Sequence, residues 1–344
     1  MTPIQIINQR RIIDGPDDNI RAISFQKQKW ANSLWEKMLS NNWVPEQVTF
    51  TRDKEQFKNL TSGQQTAYLR ALAFLSNLDS IQTDNLSNNI VHVITDPDVR
   101  ACIYRQTYEE ALHTRAYSTM IETVFQDDPL QVYNMVNTIE ELKTKSAFIS
   151  QQGKNLFLEP TIENKILSVV NNIILEGVYF FTGFLTFFSI HRITGTMQGS
   201  TDNIQYIQRD ELTHLDLFIN IFLSIKEERP EVFTPELFKK INNLFVQAAE
   251  LEINWGKFII EKGFPGLSDS IIDSYVKYLA NTRATAIGCV PPFSDVVANP
   301  VPWVEENYQD INKGKKNFFE TRPLTYSETA PVFSSKKNRV LLAA

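Results

Sequence analysis

The chain has 344 residues, 42% of them hydrophobic, enough to bury a sizeable core as one large domain or two small ones. A net charge of −6 leaves no basic footprint for nucleic acid, and only 12 glycines, with no G-x-G-x-x-G or G-x-x-x-x-G-K loop, argue against phosphate-cradling turns. Cys102 and Cys289, far apart in sequence, argue against a disulfide framework or a thiolate metal site.

Residues 1–22 read as an N-terminal arm, polar and irregular over 1–20 and closing with Asp14-Gly15-Pro16-Asp17-Asp18. Met1-Thr2-Pro3-Ile4-Gln5 lacks the basic-then-apolar layout of a secretion signal, so a soluble, cytoplasmic protein is expected. Over 23–39, Phe25, Trp30, Leu34, Trp35 and Met38 recur at helical spacing. Pro45 ends that stretch and leaves Trp43 on a turn. Thr61-Ser62-Gly63 opens a long helix that carries Asp79 between Leu78 and Ile81 and ends between Asn88 and Ile94. Asp96-Pro97-Asp98 sets a capping Asp and a first-turn Pro ahead of a helix to about Phe125.

A further helix is expected over 132–149, a break over 153–160, and a helix from Thr161 onward. Within it, 173–190 is almost wholly apolar, with Glu176 its only charge. Its length is marginal for crossing a bilayer, so a helix buried on all sides is expected, and no membrane association. The spacing then predicts helices over 202–226, from Thr234-Pro235 to about Lys262, and over 268–282. No strand alternation or fixed-period repeat is present. Residues 23–305 are expected to form one helical bundle and 306–344 a flexible tail.

Two of the four histidines sit in the same arrangement, Glu110-x-x-His113 and Glu211-x-x-His214. Three-residue spacing puts a carboxylate and an imidazole on one helical face. Glu109 competes with Glu110, but the match to Glu211/His214 favours Glu110. Asp79 and Glu176 add one inward carboxylate from each of two further helices. Four carboxylates and two imidazoles on four helices are the donor set of a di-iron or di-manganese bundle. A lone Glu-x-x-His is weak evidence, because helix surfaces carry such pairs for solvation. Glu176 is stronger, because an ionised carboxylate in an apolar helix costs several kcal/mol unless it is paired or metal-bound.

Tyr117 lies one turn beyond His113, on the same face. A phenol beside an O2-activating metal pair can be oxidised. Phe180 and Phe184, four and eight residues after Glu176, and Ile207, four before Glu211, could wall that phenol; ordinary core packing explains them as well.

The segments Leu78-Asp79-Ser80-Ile81-Gln82, Glu109-Glu110-Ala111-Leu112-His113 with Tyr117, Glu176 with Phe180 and Phe184, and Arg209-Asp210-Glu211-Leu212-Thr213-His214 together resemble the small, radical-generating subunit of class I ribonucleotide reductase. The resemblance covers roughly residues 25–330 and implies an all-α, ferritin-like bundle with additional helices. It implies a homodimer working with a large catalytic subunit, and a dinuclear centre, Fe2 with Mn2 or MnFe as alternatives, activated by O2. Tyr117 would store the radical. Trp43, Asp210 and His113 would carry it outward, and Tyr326, after Asn317-Phe318-Phe319-Glu320-Thr321-Arg322, would relay it between subunits. The end of the tail, Lys336-Lys337-Asn338-Arg339-Val340-Leu341-Leu342-Ala343-Ala344, departs from the acidic and aromatic ending that family tails often use for docking. Another O2-activating oxidase on the same scaffold would share the six ligands without needing Trp43 or Tyr326. An iron-storage bundle would give Tyr117 no special role.

Overall fold

The structure, a computed structural model, describes residues 2–16, 18, 20 and 22–305, without the side chains of 152–158. Its helices are α1 (Pro3–Gln9), α2 (Lys29–Ser40), α3 (Thr51–Lys58), α4 (Ser62–Asn85), α5 (Val91–Val93), α6 (Pro97–Val124), α7 (Leu130–Thr138), α8 (Glu140–Leu158), α9 (Ile162–Ile174), α10 (Phe181–Thr194), α11 (Gln198–Glu228), α12 (Pro235–Ile260) and α13 (Asp269–Ala286). Among the described residues there is no strand; Ile13 and Ile94 form an isolated bridge.

Four elements make the heart of the bundle: α4, α6, α11 and the continuous run of α9 and α10. α4 packs along α6 and α10, and α11 packs against α6, α9 and α10. Local chemistry fixes where they start. Thr61 caps α4 in a reciprocal box with Gln64, and Asp96 accepts from the amides of Asp98 and Val99 at the head of α6. α9 and α10 are joined by a π-turn, Leu175–Tyr179, and a second π-turn, Leu86–Ile90, follows α4. Within Ile162–Thr194 an 18-residue window has a mean hydropathy of 1.8 and is wholly buried. It is a core helix of the bundle, which is why its surface needs no polar side.

Several expected boundaries move. Helix begins at Lys29 rather than 23, and Ile23 and Phe25 are exposed. The arm is not irregular throughout: Thr2 and Gln5 form a capping box over α1, and Arg10 is fully buried against Asp18 and Asp98. α3 has no counterpart in the hydrophobic pattern, because Thr51-Arg52-Asp53-Lys54-Glu55-Gln56-Phe57-Lys58 carries no apolar stripe. Its anchor is polar: Asp53 accepts from Ser200 N at 2.6 Å, at the head of α11. The helix expected over 132–149 is two helices, broken where Ile139 turns extended without a Gly or Pro to mark it. The break expected over 153–160 is helix as far as Leu158, so Gly153 is tolerated inside α8; a helical Gly costs only about 1 kcal/mol.

Candidate metal centre

Each of the four core elements delivers its polar residues to one point. α4 carries Asp79, α6 carries Glu110 and His113, the π-turn carries Glu176, and α11 carries Glu211 and His214. All six side chains have zero solvent exposure. Their donor atoms form two overlapping sets, each with every atom within 4.8 Å of the others: Asp79, Glu110, His113 and Glu211, and Glu110, Glu176, Glu211 and His214. Glu110 and Glu211 belong to both.

The two imidazoles face the cluster with Nδ1. His113 Nδ1 lies 3.0 Å from Glu211 Oε1 and 3.6 Å from Asp79 Oδ2. His214 Nδ1 lies 2.8 Å from Glu211 Oε2 and 3.1 Å from Glu110 Oε1. Both Nε2 atoms point away, onto carboxylates outside the six. His113 Nε2 is 3.4 Å from Asp210 Oδ2, and His214 Nε2 is 3.0 Å from Glu109 Oε2. Such outer carboxylates fix which ring nitrogen carries the proton and so leave Nδ1 free for an ion.

The electrostatics suit added positive charge. Burial pushes Asp79 and Glu176 well above the ordinary carboxylate range, and their carboxylate neighbours push further. Burial opposes charge on His113 and His214, yet Glu211 and the surrounding carboxylates outweigh it and raise both imidazoles. Burial would also raise Glu211, but the two imidazoles hold it far below its usual range. Among the described residues, both oxygens of Asp79, Glu110 Oε2 and Glu176 Oε2 are buried without a hydrogen bond. Buried polar atoms are rarely left so. Lone pairs converging from four carboxylates and two imidazoles fit a pair of divalent cations, whose charge would balance the four carboxylates.

The remaining predicted residues fall as follows. Tyr117 is fully buried, and among the described residues nothing hydrogen-bonds its hydroxyl. Burial raises its pKa well above the usual phenol value, with Asp79, Glu211 and Glu110 adding their charge. Phe180, Phe184 and Ile207 are fully buried, and the two phenyl rings stack with centroids 5.8 Å apart. Trp43 lies past the end of α2, 2% exposed, and its indole N–H donates to Asp210 Oδ2 at 2.7 Å. Its ring is 6.2 Å from that of His113. Asp210 also accepts from Arg209 Nη2 at 3.0 Å. Tyr326 lies outside the described residues.

Sequence reasoning overlooked three contributors. Glu109, weighed as a rival ligand, instead meets the outer nitrogen of His214 and accepts from Arg105 Nε at 3.0 Å. Gln106 donates to Glu176 Oε1 at 2.7 Å and to Glu110 Oε1 at 3.1 Å. Gln82 donates to Glu176 as well. Glu109 and Gln106 lie four residues before His113 and Glu110, and Gln82 three after Asp79; that one-turn spacing was the available clue.

The chain matches the family described as "Ribonucleotide reductase, small chain" over residues 23–300. It is 31% identical over 331 residues to the ribonucleoside-diphosphate reductase subunit beta of Treponema pallidum, covering 94% of this chain and 92% of the relative. It is 36% identical over 313 residues to that of Chlamydia pneumoniae, covering 87% and 88%. The ribonucleotide reductase R2 subunit from Clostridium botulinum superposes with a TM-score of 0.84 at 34% identity, over 87% of this chain and 94% of that one. The dimanganese(II)-NrdF of Streptococcus sanguinis, 18% identical, shares the fold, with a TM-score of 0.72 over 85% of this chain and 99% of that one. The chain therefore belongs to the ribonucleotide reductase small-chain family, the small subunits of ribonucleoside-diphosphate reductase, which work with a large subunit.

Proposed function

We propose that Asp79, Glu110, His113, Glu176, Glu211 and His214 would hold two metal ions, with Glu110 and Glu211 available to both. The observation that carries this reading is the overlap of the two donor sets at those two glutamates. Fe2 is the proposed pair, and Mn2 and MnFe use the same donors, because carboxylate and imidazole select weakly among these ions. Bound and reduced, the pair supplies the chemistry that turns O2 into a one-electron oxidant.

The chain's own residues then divide the work. Tyr117 loses one electron and its hydroxyl proton to become a neutral tyrosyl radical. Its raised pKa keeps the phenol protonated beforehand, so electron and proton leave together, the proton toward the carboxylates. Phe180, Phe184 and Ile207 exclude water from the radical. His113, Asp210 and Trp43 form the route outward, with Asp210 Oδ2 touching both its neighbours.

Tyr326, in the tail 306–344 that docks on the large catalytic subunit, continues that route; the ribonucleotide is reduced there and not on this chain. We propose that the bundle, 23–305, works as a homodimer in the cytoplasm, free of nucleic acid and membrane, with residues 1–22 as its N-terminal arm. Exposed apolar side chains on two helices that pack together, Leu39 of α2 and Tyr104 and Tyr108 of α6, support the dimer.

Elemental analysis of the loaded full-length chain tests the ligand set. The wild type is expected to hold two ions per chain and Glu176→Ala fewer. Full occupancy in Glu176→Ala would remove Glu176 from the ligands.

A further inference from the structure

We infer that divalent metal ions reach the carboxylate cluster through a side cavity between α4, α8 and α9, with Asn172 and Gln82 as its inner gate. The inference rests on the dinuclear-metal reading above and adds how the ions arrive.

The cavity has a volume of about 300 Å³, room for a hydrated cation. Asp84, Asn85, Asn88, Asn171 and Asn172 give it a carboxylate and a row of amides, and two serines, Tyr179 and aliphatic side chains complete it. It opens to solvent, since Asp84 and Asn88 are exposed while Asn172 is buried. Both π-turns border it, Leu86–Ile90 through Asn88 and Leu175–Tyr179 through Leu175 and Tyr179. A π-turn interrupts the regular helical ladder and recurs at functional sites.

The inner wall is thin. Asn172 Oδ1 accepts from Asn85 Nδ2 at 3.1 Å and from Gln82 Nε2 at 3.0 Å. The same Gln82 nitrogen donates to Glu176. One side chain therefore links the cavity wall to a proposed ligand, and that ligand sits on a π-turn.

The other approaches are hostile to a cation. Tyr117, Phe180, Phe184 and Ile207 are fully buried, and an ion passing among them would lose its water without replacement. The His113 end is closed by Trp43 and the guanidinium of Arg209. The His214 end is closed by Arg105, which also holds Asn42 Oδ1 at 3.1 Å. Guanidinium groups repel an incoming cation. The amide side replaces waters with uncharged dipoles, so it passes an ion without trapping it. Asp84 outside and four carboxylates inside set the direction of the field.

The test is rapid mixing of metal-free, full-length chain with Mn(II), following loss of the free aqua-ion signal by electron paramagnetic resonance. Ser150→Trp fills the cavity from α8 without replacing Gln82 or Asn172. It is expected to slow uptake about tenfold or more while leaving the final stoichiometry at the wild-type value. Asp84→Asn is expected to slow uptake at low ionic strength and not at high. Wild-type uptake rates in Ser150→Trp would overturn the route. Should that variant lose its helical circular dichroism, Asp84→Asn decides alone, and a wild-type rate at low salt overturns the route. A wild-type chain that never takes up two ions fails the dinuclear reading instead, so the two failures are distinguishable.

Discussion

The two ends of the cluster are built alike as far as the histidines and then diverge. At each end Nδ1 faces the shared glutamates and Nε2 meets a carboxylate from the opposing helix, Asp210 for His113 and Glu109 for His214. A guanidinium holds each outer carboxylate, Arg209 on Asp210 and Arg105 on Glu109, but only Asp210 also accepts from an indole, that of Trp43. An indole can pass an electron, and a guanidinium cannot. In the proposed function, the same device for orienting a ligand therefore ends in a redox route on one side and in a plain charge anchor on the other. The difference is one of partners, not of geometry at the metals.

That contrast can be broken in several ways. The largest effect is expected from Trp43→Phe, which should bring reductase activity with the large subunit to background while metal content and the radical signal persist. Full activity would remove Trp43 from the route. Next, Glu109→Ala and Asp210→Ala should each weaken one ion of the pair by about 10–100-fold, measured as a split in Mn(II) titrations. Of the two, only Asp210→Ala should also abolish turnover in fully loaded protein. Equal loss of turnover in both would mean that the two ends do the same work.

A smaller effect common to both ends concerns pH. His113 and His214 are raised above the ordinary imidazole value, burial being outweighed by Glu211 and the other carboxylates, so the metal-free rings keep a second proton to higher pH than a free imidazole does. Ions must displace those protons. Affinity should therefore fall as pH is lowered, and loading should release protons that an indicator dye registers. Loading without proton release would contradict the charge state assigned to the rings.

Much of this was legible in the sequence because helical spacing is rigid. Glu110/His113 and Glu211/His214 share a face by arithmetic, and a lone carboxylate such as Glu176 in an apolar run demands a partner. The same reasoning shows its limit at Glu252, on α12, which is also fully buried. Its partner is the ammonium of Lys145, with Thr182 donating as well. Burial pushes Lys145 down to about 8, although Glu252 pulls against it. A buried carboxylate is thus not by itself a ligand. Glu176 differs because its named donors, Gln82 and Gln106, are neutral amides. Spacing could not reveal Lys145, 107 residues from Glu252, because that contact depends on how α8 and α12 pack. Nor could it reveal the π-turns, which insert a residue without changing composition. α3 stayed hidden because its anchor to α11 is a hydrogen bond and not an apolar stripe.

The most direct test of the central reading is metal analysis combined with electron paramagnetic resonance on freshly O2-activated, full-length protein, wild type beside Tyr117→Phe. Two ions per chain are expected in both, with a tyrosyl radical signal in the wild type and none in Tyr117→Phe. A radical signal that survives unchanged in Tyr117→Phe would contradict the assignment of Tyr117 as the site where the oxidising equivalent is stored.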